Sequence, residues 1–75
     1  MTQELVYTEF GGGELQWADC DGLYIGKDDA LVAAMADGTQ VRMKAYDDRQ
    51  AADAALAAIL SAIEGGVEII VIDDY

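Results

Sequence analysis

From Gln40 to Lys44 polar side chains alternate with Val41, Met43 and Ala45. A period of two puts one set on each side of a pleated strand, so this stretch predicts a sheet with one dry face and one wet face. Residues 5–10 carry a similar pattern, with Leu5 and Tyr7 on one side and Val6 and Thr8 on the other. Gly11-Gly12-Gly13 interrupts that strand and favours a turn or bulge. Residues 15–18 and 23–25 read as two further short strands. Asp21-Gly22 between them is a hairpin signal, because both residues tolerate positive φ. Gly26-Lys27-Asp28-Asp29 supplies the next turn, and residues 30–36 and 39–46 form a hairpin around Asp37-Gly38.

The period then changes. Ala52, Leu56, Ile59, Leu60 and Ile63 recur at helical spacing, which predicts one amphipathic helix over about 48–64. Asp47 with Gln50 reads as its capping box, and Gly65-Gly66 as its stop. Residues 67–72 are aliphatic except for Glu68, the pattern of a final, central strand covered on both sides. The expected fold is α+β in two layers: an antiparallel sheet of about five or six strands covered by one helix. With no proline and no linker-like stretch, residues 1–75 are expected to form a single domain.

Composition changes the picture in one respect. The chain has 15 acidic and 4 basic residues, no histidine, and a formal net charge of -11. Like charges on a small body repel and weaken the compact state, so such an excess calls for an explanation. A hydrophobic content of 53% argues against an acidic disordered segment. The sign of the charge disfavours direct binding to nucleic acid or to an anionic membrane, both of which reward lysine and arginine. No stretch resembles a signal peptide or a membrane span, and the single cysteine fits a reducing compartment, so a cytoplasmic location is expected.

Candidate chemistry is sparse. Ser61 lies within the helix and has no imidazole to activate it. Cys20 is flanked by Asp19 and Asp21, whose charges oppose thiolate formation. The three glycines lack the downstream lysine of a phosphate-binding loop. Asp19, Asp21, Asp28 and Asp29 offer oxygen ligands without calcium-loop spacing. No catalytic residue, metal site or cofactor is therefore expected, and the protein reads as a non-enzyme.

The acids themselves are the candidate site. They fall in groups: Asp19 and Asp21; Asp28 and Asp29; Asp47, Asp48 and Asp53; Glu64 and Glu68; Asp73 and Asp74. Aspartate is an ordinary turn and cap residue, which explains part of the distribution. It does not explain the missing basic counterpart. Duplex DNA carries one charge per about 1.7 Å of axis, and a rim of carboxylates can imitate that density. The expected partner is a basic protein or nucleoprotein complex, with Trp17 and Tyr24 serving either as contact residues or as core. The helix carries a second feature: Ala51, Ala54, Ala58 and Ala62 lie largely opposite the aliphatic stripe, a smooth face suited to a homodimer or adaptor contact.

Tyr46-Asp47-Asp48-Arg49-Gln50-Ala51-Ala52, followed by Leu56 and Ile59, resembles small phage and prophage proteins of uncharacterised role, over about residues 39–72. Those proteins run from a β-meander through a tyrosine–aspartate cap into one helix and a last strand. The resemblance implies a phage context, where acidic host-directed inhibitors such as anti-CRISPR and anti-restriction proteins occur, acting in the host cytoplasm. It transfers no functional residue. Two readings follow: an acidic inhibitor that blocks a basic nucleic-acid-binding protein by mimicry, or a module that self-associates through its alanine face and is acidic for solubility.

Overall fold

The computed structural model describes residues 2–75. It has six strands and one α-helix, in the order β1 (Glu4–Tyr7), β2 (Gly13–Gln16), β3 (Cys20–Ile25), β4 (Ala30–Met35), β5 (Gln40–Ala45), α1 (Arg49–Glu64) and β6 (Ile69–Val71). Short 3-10 turns cover Glu9–Gly11, Trp17–Asp19 and Ile72–Asp74. The α+β class and the strand number agree with the hydrophobic pattern.

The strands form two sheets rather than one. In the first, order β2-β1-β6, β2 pairs antiparallel and β6 parallel to β1; the second is an antiparallel β3-β4-β5 meander. One core joins them, built from Leu5, Leu31, Ala33, Met43, Ile59, Ile63, Ile70 and Ile72. Full burial of each large aliphatic side chain is worth about 1.5–3 kcal/mol, enough to hold the two small sheets against the helix.

Residues 67–72 do not form a central strand. β6 lies at the edge of its sheet, with Ile70 and Ile72 buried and Ile69 and Val71 facing outward. An unbroken aliphatic run hides which face is dry, since both alternate sets look alike. The strand buried on both faces is β4, where Ala30, Leu31, Val32 and Ala33 are all enclosed.

Asp21-Gly22 is not a hairpin turn. Both residues lie inside β3, beside a register shift between Cys20 and Gly22, and the chain reaches β3 through the 3-10 turn Trp17–Asp19. Residues that tolerate positive φ serve a bulge as well as a turn, so the dipeptide fits both. The first strand is shorter than its pattern, ending at Tyr7, with Phe10 in a left-handed conformation at φ 58°. A bulge in β5 opposite Leu31 and Val32 leaves Met43 unpaired and resets the alternation, so Ala45 is exposed instead of facing the core.

The helix begins one residue later than its capping box implies. Asp48 Oδ1 accepts a 2.8 Å hydrogen bond from the Ala51 amide, while Asp47 makes no cap bond. Arg49 fixes this phase by donating from Nη1 to the Ile25 carbonyl at 3.2 Å. The buried face is Ala52, Ala55, Ile59 and Ile63; Leu56 is half-buried and Leu60 is exposed. Gly66, at φ 81°, takes the left-handed position that ends the helix, and its amide bonds to the Ile63 carbonyl at 3.1 Å.

Candidate functional site

Of the eleven predicted contact acids, Asp19, Asp21, Asp28, Asp47, Asp48, Asp53, Glu64, Glu68, Asp73 and Asp74 are exposed and Asp29 is half-buried. Their groups occupy separate places. Asp19 ends a 3-10 turn and Asp21 is the second residue of β3. Asp28 and Asp29 form the β3–β4 turn, Asp47, Asp48 and Asp53 surround the start of α1, and Glu64 and Glu68 bracket its exit. Asp73 and Asp74 lie in the final 3-10 turn.

Several of these carboxylates are already engaged. Arg42 pairs with Asp28, and Arg49 Nε lies 3.9 Å from Asp29 Oδ1. Asp48 is occupied as the helix cap. Asp73 Oδ2 accepts a 2.5 Å hydrogen bond from the Thr8 hydroxyl. Those are ordinary structural duties of a turn or cap acid. Asp19, Asp21, Asp47, Asp53, Glu64, Glu68 and Asp74 have no salt bridge or side-chain hydrogen bond among the described residues.

The tertiary structure adds an acid that the sequence pattern left as a turn residue. Asp37 joins Asp19 at a shallow cavity of about 270 Å³, together with Met35 and Ala36. The Ala36 amide bonds to the Asp19 carbonyl at 2.8 Å and ties the two turns together. The Thr39 amide, 2.9 Å from Asp37 Oδ1, holds the Asp37 carboxyl below the usual carboxylate range. No signal in a single Asp-Gly turn marks it as a neighbour of Asp19.

The four basic residues leave little positive charge to oppose the acids. Arg42 stacks on Phe10 and pairs with Asp28. Lys44 donates to main-chain oxygens of Tyr75 at 2.7 Å and of Asp73 at 3.3 Å. It also lies 5.2 Å from the Tyr46 ring centre.

Among the described residues no polar or charged residue is buried as a whole, and no three potential metal ligands gather. Cys20 is half-buried, with Sγ 3.4 Å from the Gln16 carbonyl and 3.7 Å from Met35 Sδ. Burial first, then the charges of Asp19 and Asp21, push its thiol pKa up. The Tyr46 hydroxyl is buried without a hydrogen-bond partner, and burial, with Glu9 and Asp73 nearby, raises its pKa.

Trp17 packs half-buried against the core, whereas Tyr24 is exposed and donates a 2.7 Å hydrogen bond to Gln40 Oε1. Ala51, Ala54 and Ala58 are exposed as their helical positions imply. Ala62 is not: it is half-buried and packs on the core, because the inward face is centred nearer Ala55 and Ile59 than Leu56 and Leu60. The exposed apolar residues missed in the pattern are Phe10, Val67, Ile69 and Val71. Comparison with protein-family models, curated proteins and solved structures finds no match to this chain.

Proposed function

We propose that this protein is a non-enzymatic acidic inhibitor that covers the nucleic-acid-binding surface of a basic protein or nucleoprotein complex. The observation that carries the reading is uncompensated surface charge. Eleven net negative charges lie on a body of 34 × 25 × 20 Å, and among the described residues only Asp28 and Asp29 form salt bridges with a basic side chain. A basic groove that covers one face would meet carboxylates with few cations among them. The reading also accounts for a surface on which most carboxylates lack a cationic partner, at a cost in self-repulsion. It accords with the phage context that the helix region resembles.

Mechanistically, the inhibitor acts by occupancy: long-range attraction speeds encounter, and apolar contacts hold the complex. Affinity capture at low salt should retain one nucleic-acid-binding complex. Adding the protein to that complex should then displace its DNA or RNA, with occupancy falling steeply as salt rises. Double substitution Asp19→Lys with Asp21→Lys should slow association while the fold stays intact. A captured complex that still binds nucleic acid at saturation would rule the inhibitor out.

The alternative, a module that self-associates through α1, draws support from the exposed Ala51, Ala54 and Ala58. Ala54→Glu should then convert a dimer to a monomer with unchanged secondary structure. A wild-type mass already that of a monomer removes this alternative.

A further inference from the structure

The last strand offers a more specific contact than charge alone. β6 has a sheet neighbour on one side only. The Glu4 amide donates to the Glu68 carbonyl at 2.8 Å, and Ile70 stands opposite Leu5. This phase turns the peptide groups of Glu68 and Ile70 toward β1 and those of Ile69 and Val71 away from it. Ile69 has no other main-chain partner among the described residues, and the Val71 amide has none either, while the Val71 carbonyl caps the final 3-10 turn. A free strand edge is a template for one more strand.

The side chains along this edge are apolar and outward. Ile69 is 60% exposed, Val67 43% and Val71 38%. Register places Glu4 beside Ile69, and Val6 beside Val71 with Glu14 beyond it. Carboxylates flank β6 on both sides: Glu68 immediately before it, and after it Asp73, which also accepts from Thr8, and Asp74.

We propose that the β6 edge binds an extended segment of the basic partner as an added strand, with an aliphatic centre flanked by lysine or arginine. The inference rests on the inhibitor reading above and supplies its apolar anchor. Strand addition gives affinity through main-chain hydrogen bonds and specificity through alternate side chains. A second copy of this chain is the wrong occupant, because it would bring the same carboxylates against their equals.

The test is an NMR titration of the full chain with two peptides of equal charge, Lys-Lys-Val-Thr-Val-Lys-Lys and Lys-Lys-Gly-Ser-Gly-Lys-Lys. The first should bind at least tenfold more tightly and shift the Ile69 and Val71 amides. The double variant Ile69→Thr, Val71→Thr retains β-branched residues at exposed positions and should abolish the difference between the peptides. Equal affinities for the wild type, or shifts centred elsewhere, overturn the edge site while leaving electrostatic binding in place. Failure of both peptides to bind at low salt overturns the edge site and counts against the inhibitor reading with it.

Discussion

The Arg42 guanidinium carbon lies 4.6 Å from the centre of the Phe10 ring. Phe10 belongs to the turn that joins β1 to β2, and Arg42 to β5, so the contact links the two sheets across the surface. The same guanidinium pairs with Asp28 in the β3–β4 turn. Both partners of that pair are about half exposed, which limits its worth.

Arg42→Gln removes the ring contact and the ion pair together and should cost about 1 kcal/mol. Urea unfolding measures it. Because exposed charge pairs are screened, the difference from wild type should shrink in high salt.

The helix cap separates two neighbouring aspartates. Asp48→Ala should lower stability by about 1 kcal/mol, whereas Asp47→Ala should change it by less than about 0.5 kcal/mol. Thermal unfolding of the two variants side by side decides which residue is the cap. Equal losses would mean that the cap is shared.

Asp29 holds a left-handed backbone at φ 61° with no glycine to ease it. Aspartate tolerates this region and a β-branched residue does not. Asp29→Asn should stay within about 0.5 kcal/mol of wild type, while Asp29→Val should cost about 1–2 kcal/mol. Denaturant midpoints provide the comparison.

Cys20 and Tyr46 set the alkaline response. Each has its pKa raised in the folded chain, so the folded state keeps its proton to a higher pH than the unfolded state. Their contribution is complete below the unfolded pKa values and is lost as pH rises through the folded ones. Stability should therefore fall above the ordinary thiol range, and Cys20→Ser should remove part of that fall. Alkylation of Cys20 by iodoacetamide at mild alkaline pH should be slow in the native protein and accelerate in urea.

Net charge should act on the fold as well as on binding. Neutral salt screens the self-repulsion of a chain at -11, so the thermal midpoint should rise with sodium chloride. A midpoint that falls with salt would mean that the carboxylates are matched by more internal pairing than Asp28–Arg42 and Asp29–Arg49 provide.

Local chemistry alone determined the helix between an aspartate cap and Gly65-Gly66, the β4–β5 hairpin around Asp37-Gly38, and the exposure of nearly every acid. These follow from period, turn residues and charge, each read over a few neighbours. Tertiary structure decided the rest. It split the strands into two sheets, and it set Ile70 and Ile72 inward and Ile69 and Val71 outward at a free edge. It also chose Asp48 over Asp47 by anchoring Arg49 to Ile25, and brought Asp37 beside Asp19. The physical reason is the same in each case: an aliphatic run or an Asp-Asp pair is locally degenerate, and contacts with residues distant along the chain choose between its equivalent arrangements.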